Sequence, residues 1–167
     1  MKILVAYATK AGSTAEVAAE IGRVIESKSG HKVDVRPVGK AKEVSGYDAV
    51  IIGSAIRVGK WLPEATKFVE KHRDALSQVP VAYFTVCLTL SEDTEENRRK
   101  VAAYLDPVCE VVQPVDVGLF AGVMDYSKLP FILRLMMKKM GSPEGDFRDW
   151  EAIRAWAADL CPALLNT

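Results

Sequence analysis

The sequence predicts an α/β fold, a five-stranded parallel sheet of order 2-1-3-4-5 sandwiched between helices on both faces. Three observations lead there. Short apolar runs alternate with longer segments of helical period, the pattern of a buried parallel sheet covered on both sides. Five such runs can be counted in 167 residues, a length at which one domain buries a substantial core. Ala49 to Ile52 is continuously apolar whereas Val33 to Val38 alternates, which puts the third strand inside the sheet and the second at its edge.

The elements follow in order. Ile3 to Ala8 is the first strand, and Thr14 to Ser27 the first helix, with Val17, Ala18, Ile21, Val24 and Ile25 on one side and Gly30 as its stop. After the second and third strands, Trp61 to Leu76 reads as a helix with Pro63 in its first turn and Ala65, Phe68, Val69 and Leu76 as its apolar face. Val79 to Cys87 is the fourth strand. Ser91 or Thr94 can cap a helix running to about Leu105, which Pro107 interrupts. Val115 to Phe120 is the fifth strand, and Asp149 can cap a last helix from Trp150 to about Leu160.

One stretch does not belong to this scheme. A minimal fold passes from its last strand to its last helix in a few residues, but here residues 122–147 intervene. The chain is therefore read as a single domain over 1–167 with an inserted segment at 122–147. Within it, Leu129 to Met140 can form a helix starting at Pro130 and stopping at Gly141. That segment is too short to cross a bilayer.

Composition narrows the function. With 49% hydrophobic residues and a formal net charge of zero, neither disorder nor a nucleic-acid footprint is expected. Ile3 to Ala8 is too short for the apolar region of a signal peptide, so a cytoplasmic location is expected. Cys87, Cys109 and Cys161 are widely spaced, and His31 and His72 are isolated, so neither a disulfide framework nor a metal centre is expected. Both histidines are expected at exposed helix ends or in loops.

The loop Thr9-Lys10-Ala11-Gly12-Ser13-Thr14 joins a buried strand to a helix. Its amides should converge where the helix N-terminus is positive, which makes a phosphate site. Gly12 allows close approach or positive φ, the hydroxyls of Thr9, Ser13 and Thr14 can donate to phosphate oxygens, and Lys10 stands at the rim. The rival motifs G-x-x-x-x-G-K-[ST] and G-x-G-x-x-G are absent from the sequence, and the third strand ends at Gly53 and not at a phosphorylatable aspartate. In a sheet of this order the ligand lies beyond the C-terminal ends of strands one, three and four. Ser54-Ala55-Ile56-Arg57-Val58-Gly59 and Trp61 are suited to one side of a flat heterocycle. There Gly59 permits a peptide flip, and Trp61 serves either to stack on the ring or to anchor its helix in the core. Thr85-Val86-Cys87-Leu88-Thr89 should form the opposite wall.

The loop resembles the FMN-phosphate loop of flavodoxins, [ST]-x-x-G-x-[ST], and the whole pattern is that of a flavodoxin-like three-layer sandwich. Within that superfamily the chain is similar to the bacterial menaquinone-dependent protoporphyrinogen oxidases. The likeness lies in Gly53 to Gly59, in Phe68-Val69-Glu70-Lys71-His72, and in Ala121-Gly122 through Tyr126, Phe131-Ile132, Met137-Lys138, Gly141 and Asp149-Trp150. The resemblance implies FMN as cofactor and an oxidoreductase that takes electrons from a porphyrinogen and passes them to a quinone in heme biosynthesis. It also leaves open a soluble flavodoxin electron carrier serving a reductase partner protein. An amphipathic segment at 129–140, with Phe131, Ile132, Leu135 and Met136 beside Arg134, Lys138 and Lys139, is expected either to touch the inner face of the cell membrane or to pack on the domain.

Overall fold

The strands form where apolar runs can be covered on both faces. In the computed structural model, which describes residues 1–141 and 144–166, five parallel strands build one sheet. They are β1 (Lys2–Ala8), β2 (Lys32–Pro37), β3 (Ala49–Arg57), β5 (Val81–Cys87) and β6 (Asp116–Ala121); a short β4 (Lys60–Trp61) folds back antiparallel on β3. The sheet order β2-β1-β3-β5-β6 is the predicted one once the β4 hairpin is set aside. Ile3 pairs with Val33 on one side and Ala49 on the other, and this register carries the ends of β1, β3 and β5 to the same edge.

Each face of the sheet has its own core. On β5, Tyr83 and Phe84 are both fully buried, and because neighbouring side chains on a strand point to opposite faces, each enters a different core. Tyr83 meets Leu62, Phe68 and Leu105 on the side of α2 (Pro63–Lys71), α3 (Arg73–Leu76), α4 (Glu95–Ala103) and α5 (Asp106–Val111). Phe84 joins Val17, Ile21, Ile153 and Leu160 between α1 (Ser13–Ser29) and α7 (Trp150–Leu165). Gly53 is required there, because a Cβ on it would stand 1.9 Å from the Phe84 ring. The Tyr83 hydroxyl donates to the Val112 carbonyl at 2.8 Å, and burial pushes its phenol well above the ordinary range.

Local chemistry explains the helix ends. Thr94 and Asp149 accept from the amides of Asn97 and Ala152, both at 3.1 Å, as N-caps. Gly30 ends α1 at φ 69°. Several boundaries differ from the expected ones. The predicted helix 61–76 divides at His72 into α2 and α3, and Trp61 belongs to β4. Pro107 stands in the first turn of α5, where its missing N–H is no loss. The third strand runs on from Ile52 to Arg57. Neither histidine is fully exposed; His72 packs on Phe68 with ring centroids 4.6 Å apart, and burial lowers its pKa.

The insertion has its own construction. β7 (Val123–Met124) pairs antiparallel with β8 (Gly145–Asp146), and the Phe147 amide donates to the Gly122 carbonyl at 3.1 Å, so the segment leaves and returns through one narrow base. Between them lie a 3₁₀ turn at Tyr126–Lys128 and α6 (Phe131–Lys139), with Pro130 ahead of it. No residue of α6 is buried. Among the described residues, no helix is long and apolar enough to cross a membrane.

Candidate functional site

The first helix begins where the chain leaves β1, and its first turn carries an unspent donor set. Gly12 takes the N-cap position at φ 92°, a conformation that a side chain would strain. Its amide donates to Thr9 Oγ1 at 3.0 Å, which closes the loop on itself. Thr14 is fully buried, and its Oγ1 has no hydrogen-bond partner among the described residues. A buried hydroxyl left unpaired is costly. Beside the free amides of a 17-residue helix's N-terminus, it fits an anionic ester oxygen.

The loop opens on a cleft of about 820 Å³ at the C-terminal edge of the sheet, within the size of small-molecule sites. Thr9, Lys10, Ala11 and Ser13 line one end. Ala55, Ile56, Arg57, Val58 and Gly59 line one wall, and Val86, Cys87, Leu88 and Thr89 the facing one. Arg57 pairs with Lys60 across a hairpin whose two turn residues, Val58 and Gly59, have φ of 52° and 69°. That combination is a type I′ turn, unusual for a β-branched residue. Val58 is also 91% exposed.

Five expected positions are absent from the cleft lining. Trp61 does not line the cleft; it is buried and meets Tyr83 edge-on at 5.3 Å, so its role is to anchor the core. Ser54 is buried and accepts from the Leu62 amide at 3.0 Å, bracing β3 against the start of α2. Thr85 is buried and donates to the Ser54 carbonyl at 3.0 Å, bracing β5 against β3. Thr14 and Gly12 stand behind the lining rather than on it, Gly12 acting through its backbone and Thr14 through its unpaired hydroxyl. The aromatic side chain that does line the cleft is Tyr104, which packs beside Gly59.

A family model described as flavodoxin domain matches residues 4–150. The chain belongs to the flavodoxin domain family. It is 28% identical to the protoporphyrinogen IX dehydrogenase [quinone] of Escherichia coli K12 over a 173-residue alignment covering 96% of this chain and 94% of that one. To the protein of that name from Leishmania major it is again 28% identical, over 95% of this chain and 74% of the relative. Among solved structures, a flavodoxin from the domain Archaea superposes with TM-score 0.59 at 20% identity, over 98% of this chain and 99% of that one. Oxidised flavodoxin 1 from Bacillus cereus gives TM-score 0.60 at 17% identity, over 95% and 96% of the two chains. These establish the flavodoxin-like fold.

The insertion supplies what sequence reasoning did not assign to the site. Met124, Leu129, Pro130, Leu133 and Met137 cover the flavodoxin-type cleft as an apolar roof. Periodicity could have pointed to Leu133 and Met137, four residues apart on α6. At the segment's exit, Arg148 also lines the cleft and donates to Glu16 at 2.5 Å and to Asp146 at 2.7 Å, with its plane over the Trp150 ring at 4.7 Å. The hydrogen bond to Asp146, then that to Glu16, raises its already high pKa, and Asp146 is held below the carboxylate range in return. No local pattern marks Arg148 or Tyr104, because tertiary packing alone brings them to the cleft.

Proposed function

We propose that this flavodoxin-domain chain is an FMN-dependent oxidoreductase of the protoporphyrinogen IX dehydrogenase (quinone) type, acting in heme biosynthesis as a single domain with its insertion as substrate cover. The observation that carries the proposal is the pairing of a phosphate loop, complete with an orphaned buried hydroxyl, and an apolar roof over the same cleft. Bound FMN supplies acceptance of a hydride or of single electrons at N5. The chain's own residues bind, orient and exclude water. The amides after Gly12 and the hydroxyls of Thr9, Ser13 and Thr14 hold the ester, and Ala55 to Gly59 and Val86 to Thr89 flank the ring. Leu133 and Met137 keep the space above it dry, while the exposed Arg57 and Lys10 offer positive charge to an acidic substrate at the mouth.

The outer side of α6 supports a quinone acceptor. Phe131 and Ile132 are 70% and 71% exposed, with Leu135, Met136 and Met140 also exposed and Lys138 and Lys139 in the last turn. Such a surface suits the headgroup region of an anionic membrane, where quinone resides. The working location is therefore cytoplasmic, in peripheral contact with the membrane's inner face. Arg134 is held back from that outer surface, its guanidinium donating to the carbonyls of Tyr126, Ser127 and Leu129.

The test is to load the protein with FMN and follow porphyrin appearance from protoporphyrinogen IX without oxygen, with and without menaquinone. Turnover that requires the quinone is the expected result. FMN that binds and cycles with a reductase, but forms no porphyrin, would make the protein an electron carrier instead. Its zero net charge argues against that alternative, because carriers steer to basic partners through an acidic surface.

A further inference from the structure

We propose that Lys128, a residue of the insertion, is a specificity-determining cation for the phosphate of the cofactor, so that the roof of the cleft also takes part in binding FMN. The proposal rests on the FMN reading above. Lys128 is presented by a tight turn in which Asp125 Oδ1 accepts from the Ser127 amide at 2.9 Å and hydroxyl at 2.6 Å, while the Lys128 amide donates to the Asp125 carbonyl at 3.1 Å. From there its ammonium crosses to the phosphate loop and donates to the Ala11 carbonyl at 3.3 Å, joining positions 117 residues apart.

Three features make this more than a structural strap. The Ala11 carbonyl occupies one of the ammonium's three protons, leaving two for another acceptor. No carboxylate forms an ion pair with Lys128 among the described residues, whereas the neighbouring Arg148 is neutralised by Glu16 and Asp146. Finally, Lys128 lines the same cleft as Thr9 and Ser13, and its contact on Ala11 sets it at the loop that holds the unpaired Thr14 hydroxyl. The loop's amides and hydroxyls are neutral donors. Of the cations that line the cleft, Arg148 reaches the Ser13 carbonyl but is paired with Glu16 and Asp146, whereas Lys128 reaches the loop without an ion pair among the described residues and arrives with the insertion. Phosphate binding should accordingly pin residues 122–147 against the loop.

FMN and riboflavin differ only in the phosphate, so their affinities separate charge recognition from ring binding. Dissociation constants for both would be measured by flavin-fluorescence quenching on the apoprotein and on Lys128→Met, Lys128→Arg and Lys139→Met. The expected result for Lys128→Met is FMN binding weakened about tenfold, equivalent to about 1.4 kcal/mol, with riboflavin affinity retained. The salt dependence of FMN binding should flatten. Lys128→Arg should restore FMN binding, and Lys139→Met, which removes a charge outside the cleft lining, should leave it intact. Parallel weakening of both flavins, or an unchanged FMN constant, would overturn the proposal while leaving the FMN reading in place. If the unaltered protein bound neither flavin, that reading itself would fall.

Discussion

The floor and the roof of the cleft are built on opposite terms. The floor stands at the edge of a sheet whose β1, β3 and β5 are buried almost throughout, so loop 9–14 and the walls after β3 and β5 are positioned by two cores. The roof is held by a two-stranded base, an Arg134 clamp and a few side chains turned inward, and α6 contributes nothing to either core. The floor is part of the sheet's own construction. The roof adds exposed apolar surface that neither core uses, and such a surface calls for a contact outside the core.

The most direct way to break that contrast is to remove the roof and keep the floor. Replacing residues 125–144 with a short Gly-Ser turn between β7 and β8 leaves both cores untouched. FMN affinity should fall no more than about tenfold, the share of a single charged contact such as Lys128. Quinone-dependent porphyrin formation should drop by roughly two orders of magnitude, about 2.7 kcal/mol at the transition state. Co-sedimentation with anionic vesicles should disappear along with it. If turnover survived the excision, the roof would have no part in substrate handling and the contrast would be void.

A second substitution tests the floor alone. Thr14→Val keeps the shape of a fully buried side chain and removes a hydroxyl that has no partner. Without ligand the variant should be the more stable, by about 1 kcal/mol, since an unsatisfied buried polar group is removed. With FMN the order should reverse, because a hydrogen bond to a charged group contributes about 1.5–3 kcal/mol, roughly tenfold to a hundredfold in affinity. Thermal melts with and without FMN measure both signs on one sample. Equal melting shifts on adding FMN to the two proteins would mean that Thr14 serves packing only.

How far the sequence revealed this arrangement depended on the kind of signal each residue left. The strands were legible because a buried parallel strand must be apolar on both faces, and loop 9–14 because its glycine and hydroxyls fall between such a strand and a helical stripe. Ser54 and Thr85 turn away from the cleft for a geometric reason, and of the two roles open to Trp61 it takes the core anchor. At a strand's C-terminal end, adjacent residues face the cleft and the core in turn, and a small polar residue reads the same in either position. Thr85 is bound to β3 and Ser54 to the start of α2, and Trp61 turns into the core because β3 continues to Arg57 before reversing. Lys128, Arg148 and Tyr104 left no local trace. Each reaches the cleft only through the folding of distant segments, so periodicity and motif spacing are silent about them.

The hairpin after β3 offers the finest test, because there the rigid floor holds a residue in a conformation it resists. Val58 lies at φ 52° with 91% of its surface exposed, so no packing energy on its own side chain offsets the left-handed backbone. Asparagine tolerates that conformation and, ahead of glycine, is the preferred start of a type I′ turn. Val58→Asn should therefore stabilise the apoprotein by about 1 kcal/mol, a rise of roughly 2–4 °C in melting temperature for a chain of this size. FMN affinity should stay within a factor of two if the turn is merely strained. A larger loss would mean that the valine side chain itself lies against the ring, where the strain serves binding. The wall after β3 would then resemble the roof in spending apolar surface on a ligand, and the division between the two sides would run through the hairpin and not beneath α6.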